Sequence, residues 1–294
     1  MALTLAEASK LSNDILQIGV IETIIKDSPV LQLLPFETVL GNGLTYNQEN
    51  AAATAAFYDV GDTWAESTPT FTQLTAVLKI LGGDADIDNF LRVTRSDLQD
   101  LETTIVELKA KAVRHKFEET FITGSVGSNP KSFDGIDVLC ASGQTESMGV
   151  NGGTLTLDKL DLLIDKVKGG RPDLLLMSKR SHRKLTALAR QSTILQTDLN
   201  EFGLRVPFYD GIPIGVSDFI PDNQTVGTST DCSTAYAMQF GTGAVAGISS
   251  PGGIQVERVG SLETKDASRY RIKWYAAIAL FNAVKLGKLA GVRD

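Results

Sequence analysis

One stretch limits the folds open to this chain more than any other, the run TRSDLQDLETTIVELKAKAVRHKFEETFIT from Thr94 to Thr123. Leu98, Leu101, Ile105, Leu108 and Ala112 recur at steps of three and four, which sets them on one face of an α-helix. A second row, Val106, Val113, Phe117 and Phe121, widens that face toward the C-terminal end. Glu107 and Lys111 are spaced to pair across one turn. Ser96 with Gln99 reads as a capping box, and Asp97 and Asp100 suit the positive end of the helix dipole. Gly124 and the Gly-Ser-Asn-Pro run after it stop the helix. At ~1.5 Å per residue the rod is roughly 45 Å long. A helix so long and apolar on one side needs a sheet or a second helix along it. The apolar end of the chain is the expected partner.

That end, RYRIKWYAAIALFNAVKLGKLAG, opens as a strict alternation, with Tyr270, Ile272 and Trp274 against Arg269, Arg271 and Lys273. From Tyr275 to Val284 it is continuously apolar, which predicts a strand covered on both faces, with a helix from Ala276 as the competing reading. GGIQVERVG ahead of it also alternates.

At the other end, Leu5, Ala8, Leu11, Ile15, Ile18 and Ile21 fall at helical spacing, and Thr4 with Glu7 forms a capping box. Pro29 and Pro35 end this segment, which reads either as a packed helix or as an arm reaching a neighbouring subunit. Residues 36–81 differ in texture. FETVLGNGLTYNQEN alternates like a strand pair broken at Gly41–Gly43, and FTQLTAVLKILG alternates again. Between them lie more than 20 small or polar residues with few core anchors. A long two-stranded flap or a mobile surface loop satisfies this pattern, and the Ala-rich 51–56 run also permits a short helix. Residues 82–93 predict a strand and turn into the long helix, and GSVGSNPKSFDGIDVL an irregular loop returning to a strand.

Residues 154–250 carry an α/β rhythm. TLTLDKLDLLIDKVKGG is an amphipathic helix stopped by Gly169-Gly170, PDLLLMS a short buried strand, and SKRSHRKLTALARQS a helix with a basic face. VPFYDGIPIGVSD predicts a hairpin at Asp210-Gly211, and TAYAMQFGTGAVAGIS a further strand pair turning at Gly241–Gly243. The polar stretch 140–153 is the expected boundary of this lobe.

Composition narrows function more than fold. The 294 residues are 43% hydrophobic and carry a formal charge of −7, which argues against a dedicated nucleic-acid binder. No apolar run is long enough to span a membrane, and MALTLAEASKLSND lacks the pattern of a signal peptide. Cys140 and Cys232 read as small reduced side chains of a cytoplasmic product. His115 and Glu118 share a helix face but lack the further ligand a zinc site needs. Gly241–Gly247 mimics a dinucleotide fingerprint with the wrong spacing and is read as a turn. Lys179, Arg180, His182, Arg183 and Lys184 could touch phosphate or an acidic partner, yet a solvated helix face accounts for them. No catalytic constellation, metal set or cofactor motif emerges.

Taken in order, these segments resemble the HK97-fold major capsid proteins of tailed bacteriophages. The resemblance rests on an arm, a flap, a long spine helix, the loop GSVGSNPKSFDGI, the text PDLLLMSKRSHRKLTAL, the segment YDGIPIGVSD and the closing RYRIKWYAAIALFNAVKLGKLAGV. It implies an α+β fold with an N-terminal arm at 1–35, an extended E-loop flap at 36–81, a peripheral domain at 82–153 and 251–294, and an axial domain at 154–250. It further implies self-assembly into the hexamers and pentamers of an icosahedral head, built in the bacterial host cytoplasm. That head would enclose double-stranded DNA without sequence-specific binding. Scaffolding, portal and decoration proteins are the implied partners. Some family members carry a removable N-terminal scaffolding segment. Here the arm begins almost at Met1, which implies a separate scaffolding protein or processed numbering. No crosslinking residues transfer, because no local motif places them. Phe57, Tyr58, Trp64 and Phe71 of the flap, with Leu11 and Ile15 of the arm, are the candidate inter-subunit contacts. An encapsulin-type nanocompartment shell is the alternative, and a cytoplasmic α/β enzyme built on the 154–245 lobe the more distant one.

Overall fold

In the computed structural model, residues 29–51, 53–90, 93, 101–192, 196–199 and 205–293 are described. The segment 94–100, with the predicted helix cap and Leu98, lies outside them, as do Leu11 and Ile15.

The framework is one long strand, β15 (Ala267–Leu280). Its alternating half and its continuously apolar half form a single strand, as predicted, and no helix starts at Ala276. One edge of β15 pairs antiparallel with β4 (Lys79–Asp88) along its first ten residues. The other edge is divided between β14 (Gln255–Ser261) and β13 (Val245–Ser249). A short β1 (Phe36–Thr38) extends the sheet in parallel beyond β13.

Along one face of this sheet runs α2 (Leu101–Thr123), the described part of the long helix. Val106, Ala110, Val113, Phe117 and Phe121 are buried against Ala85, Ile87, Ile272 and Trp274. These helix residues are three and four apart, as one buried face requires. The second predicted row carries the face, joined from the first by Ile105, which is partly buried against the same core: Val106 is 0% exposed, whereas Leu108 is 51% exposed and Ala112 is also exposed. Aromatic rings fix the phase. Phe117 lies tilted against Trp274 at 4.6 Å between ring centroids and touches Phe36, Phe121 and Phe133 at 6.0, 6.3 and 5.7 Å. Among the described residues no ring contact involves Leu108.

The helix ends where Gly124 N–H donates to the Thr120 carbonyl at 2.8 Å, and Gly135 N–H donates to Gly124. A Cβ on Gly135 would sit 2.6 Å from the Thr120 carbonyl oxygen. Only glycine permits the loop to close so tightly on the helix end. The loop continues into a short helix, α3 (Ile136–Leu139), rather than the strand predicted there.

A second, nine-stranded sheet has β7 (Leu174–Met177) at its centre. β7 runs parallel to β10 (Ile212–Val216) and antiparallel to β12 (Ser229–Met238). Outside β10 lie β9 (Arg205–Tyr209) and β8 (Gln196–Leu199). Outside β12 lies β16 (Leu286–Arg293), which carries β5 (Thr145–Ser147) and β6 (Gly153–Thr154), while β11 (Gln224–Val226) pairs with β12. Leu175 and Met177 pack with Leu160 and Leu163 of α4 (Leu157–Lys166) and Leu185 of α5 (Lys179–Ser192). Leu174 and Leu176 point to the opposite face and join the core around α2. An all-apolar β7 follows from having a core on each side. The Thr156 hydroxyl caps α4 by accepting from the Lys159 N–H, and Asp210-Gly211 turns β9 into β10 with φ of 49° and 75°. Both positive angles fit a type I′ hairpin, so the Asp-Gly signal is read correctly.

Several strand pairings differ from the sequence reading. β12 and β13 do not form a hairpin at Gly241–Gly243, because the chain crosses there from one sheet to the other. β16 follows β15 in sequence but belongs to the nine-stranded sheet, as do β5 and β6 from the polar stretch 140–153. β1 and β2 (Gly43–Ala51) do not pair with each other: β1 joins β13 and β2 joins β3 (Thr70–Val77). Ala53–Ala56 form no helix. At the start of the described chain, Pro29 opens the short helix α1 (Pro29–Leu33), which buries Val30 and Leu31.

Candidate assembly surface

β2 and β3 form an antiparallel ribbon that pairs with no strand of either large sheet. Its root is fastened: Tyr46 meets Phe281 edge-on at 4.9 Å, and Lys79 Nζ donates to the Pro130 carbonyl at 2.7 Å. Burial of that root pushes the Tyr46 phenol pKa up, against the smaller opposing effect of a backbone hydrogen bond with Leu280. A hydroxyl held neutral in an apolar joint is a structural fastening rather than a reactive group.

Beyond the ribbon, residues 53–69 carry no regular structure yet are tied together locally. Thr54 N–H donates to the Ser67 hydroxyl at 2.9 Å, Asp59 N–H to the Asp62 carboxylate at 2.6 Å, and Ala65 N–H to the Tyr58 hydroxyl at 3.1 Å. Tyr58 and Trp64 stack at 4.7 Å with their planes 14° apart. This local order holds apolar side chains out in water, with Phe57 106%, Val60 101%, Trp64 77% and Phe71 64% exposed. All four flap residues predicted from sequence thus lie on the ribbon or its tip. Tyr58 and Trp64 come together there, Phe57 stands free on the same loop, and Phe71 stands on β3. Val60 was missed, although an apolar residue between Asp59 and Gly61 in a turn is the available signal.

The lobe surfaces carry polar chemistry without a reactive arrangement. A cavity of about 660 Å³ is lined by Asp161, Asp165, Arg171, Tyr209 and Asp210, among others. Tyr209 donates to Asp161 at 2.6 Å, and Arg171 bonds both the carbonyl and the carboxylate of Asp210. Burial, reinforced by Asp161, pushes the Tyr209 phenol far above its ordinary pKa, so it holds its proton firmly. On α5, Lys179 pairs with Asp218 at 2.6 Å, and Arg180 binds the Asp231 carbonyl and approaches Asp222. Much of the basic face is therefore answered within the lobe. Desolvation pushes the His182 pKa down. The His115–Glu118 pair is divided: Glu118 is buried and accepts from the Ser217 hydroxyl at 3.0 Å, whereas His115 is exposed beside Phe219. Among the described residues no three His, Cys, Asp or Glu side chains are placed to hold a metal ion, and no helix is long and apolar enough to cross a membrane.

A helix laid on a mixed sheet, a second sheeted lobe and a projecting ribbon together define the HK97-type shell-protein fold, and solved structures of that architecture match nearly end to end. The SrpI encapsulin of Synechococcus elongatus, solved as a holo complex, superposes with a TM-score of 0.73 at 19% identity, covering 99% of this chain and 96% of its own. A capsid chain from a native GTA particle gives 0.66 at 14% identity, covering 97% and 94%. A chain from Microbacterium phage Oxtober96 gives 0.65 at 14% identity, covering all of both chains. No curated protein matches by sequence. Residues 10–241 match the SU10 major capsid protein family, and the chain belongs to it. It is a capsid shell protein.

Proposed function

We propose that this chain is the repeating unit of a closed phage head that encloses double-stranded DNA, with its lobes gathered in rings of five and six. The flap of each copy lies over a neighbour. The observation that carries this reading is the tip itself, an ordered loop whose aromatic residues are solvent-exposed in the single chain. An exposed apolar patch marks an interaction surface. Many such contacts closed over a shell give high collective stability from individually weak bonds. The net charge of −7 suits a container that holds DNA without gripping it. Scaffolding, portal and decoration proteins are the partners of such a head, and the bacterial cytoplasm its place of assembly. The chain acts as a building block and not as a catalyst, a reading supported by its membership of a capsid protein family.

The test is expression of the chain alone and with the scaffold gene of its locus, read by size exclusion and negative-stain microscopy. Shells, tubes or five- and six-membered rings are expected. A clean monomer or dimer under all these conditions rejects the reading. An encapsulin-type compartment stays as the second reading because of the likeness to the SrpI encapsulin. Particles purified from the native source that contain protein cargo and no DNA would favour it.

A further inference from the structure

The sequence holds two Asn-Gly pairs, Asn42-Gly43 at the root of the ribbon and Asn151-Gly152 ahead of β6. Asparagine is one of the thermally labile residues, and a following glycine exposes it most. With no Cβ in the way, the glycine nitrogen can reach the side-chain amide of the asparagine before it. The reaction needs a glycine N–H that no acceptor holds and an asparagine side chain free to turn toward it. At Asn151 both groups are engaged. Gly152 N–H donates to the Gly149 carbonyl at 3.2 Å, and Asn151 Oδ1 accepts from the Thr228 N–H at 3.1 Å. Gly227 packs on that same oxygen with no room for a Cβ. Asn42 differs. It is exposed, and no hydrogen bond engages its side chain among the described residues. Its carbonyl accepts from the Leu78 N–H at 2.9 Å, which makes 42 and 78 a hydrogen-bonded pair of the antiparallel ribbon. Gly43 and Val77 are the next pair along. Hydrogen-bonded and non-hydrogen-bonded pairs alternate in such a ladder, so the Gly43 N–H turns away from β3. Among the described strands none pairs with the other edge of β2.

We infer that Asn42 is a site of spontaneous deamidation that loosens the root of the ribbon, with water as the co-reactant. The Gly43 nitrogen attacks Cγ of Asn42. An N–Cγ bond forms, the Cγ–Nδ2 bond breaks, and ammonia leaves with the proton that Gly43 gave up. Water then opens the cyclic imide. Opening at Cγ gives aspartate. Opening at the α carbonyl frees that carboxyl and leaves the main chain running through Cγ, as isoaspartate. No oxidant or reductant is needed: an amide and water become a carboxylic acid and ammonia. Either product sets a carboxylate where a neutral amide stood. Isoaspartate also adds one backbone atom between residue 42 and Gly43. The 42–78 pair and the Leu44–Ala76 pair then cannot both keep their register. Leu78 links β3 to β4, so this pair fastens the ribbon to the body. The chemistry belongs to the single chain, whatever it assembles into.

Timed peptide mapping tests this. The full unassembled chain is held at mildly alkaline pH, beside the same chain unfolded in urea, and both are sampled, digested and read by mass spectrometry. The peptide containing Asn42 should gain the mass of an amide-to-acid exchange and split into two chromatographic forms. In the folded chain Asn42 should react at least about tenfold faster than Asn151, whose reaction waits on a local opening, and in urea the two rates should agree within about threefold. Hydrogen exchange supplies the second readout. The Leu78 amide of the aged parent should lose protection. N42Q, whose longer side chain closes a larger ring far more slowly, should keep that protection over the same time. Similar rates at the two asparagines in the folded chain overturn the inference. So does an unchanged Asn42 while the unfolded chain converts, or a converted Asn42 that leaves Leu78 as protected as in N42Q.

Discussion

Arg269 and Asp86 face each other across the β4–β15 pair, joined by Nε to Oδ1 at 2.6 Å and Nη2 to Oδ2 at 2.9 Å. One step along, Arg271 holds Asp84 in the same two-pronged way at 2.7 and 2.9 Å. Lys265 adds a bond to Asp86, and Lys273 reaches Glu257 on β14. These residues alternate with Tyr270, Ile272 and Trp274, which face the helix. Opposite signs on directly opposed positions stabilise a sheet pair where like signs would split it. The wet face of the sheet is thus a charge ladder answered within itself.

The ladder sets a pH dependence. Hydrogen bonding from Arg269 holds the Asp86 carboxyl well below the usual carboxylate range, and hydrogen bonding from Arg271 lowers that of Asp84. Carboxyls with depressed pKa values contribute stability that is fully present above about pH 4 and is lost as pH falls through their folded values. Urea midpoints of the unassembled chain should therefore fall between pH 4 and pH 2. D86N should be less stable than the parent at pH 7, with the difference shrinking as pH drops through that window. A difference that stays constant with pH would show that the pairing is not the cause.

The helix phase gives a paired test. Val106 is wholly buried and Leu108 is half exposed on the same turn. V106A should lower stability by about 1–3 kcal/mol and L108A by less than about 0.5 kcal/mol, measured by denaturant unfolding. The reverse order would return the helix to the face first read from its sequence.

The reason the buried face centres on the second row is physical. Periodicity of three and four was plain in the run to Thr123, but two apolar rows satisfied it, and only the aromatic cluster from distant β15 and the 124–135 loop chooses between them. Local signals were read correctly where the deciding contact is local, as in the alternation of Arg269–Trp274 and the Asp210-Gly211 turn. They failed where it is not. β12 and β13 are both buried along their adjoining lengths, so nothing in either strand says that one joins β7 and the other β15. The flap was legible as a weakness: more than 20 residues able to anchor nothing in their own chain.

The aromatic cluster itself should dominate the stability of the body. Phe117 touches four other rings and is 0% exposed, so F117A leaves a large void as well as losing transfer energy. A loss of about 3–5 kcal/mol is expected from calorimetry or denaturant unfolding. F117L, which keeps most of the volume, should cost clearly less.

Close backbone approach makes Gly135 a sharper probe of the helix end. Its added Cβ would meet the Thr120 carbonyl at 2.6 Å and the Gly124 nitrogen at 2.8 Å, both backbone atoms that no side-chain rotation can remove. G135A should cost about 1–3 kcal/mol, as overpacking does, and weaken amide protection at Gly124 and Gly135 first. Gly143 has open space around it, so G143A measured alongside should be close to neutral.

The flap tip separates folding from assembly. Phe57, Val60 and Trp64 stand in solvent in the single chain, so replacing them with serine removes no contact of the body. The triple variant should unfold at the parent's midpoint, within about 0.5 kcal/mol. Its assembly should suffer instead. Truncating a central aromatic anchor of an interface costs at least ~1–2 kcal/mol, and each ~1.4 kcal/mol is tenfold in affinity. The concentration at which particles appear, followed by light scattering, should rise by at least about tenfold. L40S, which alters another exposed apolar residue outside the tip, serves as the control and should assemble at nearly the parent's concentration. A triple variant that assembles like the parent would mean the tip contributes nothing to subunit contact. The exposed rings would then need another occupant.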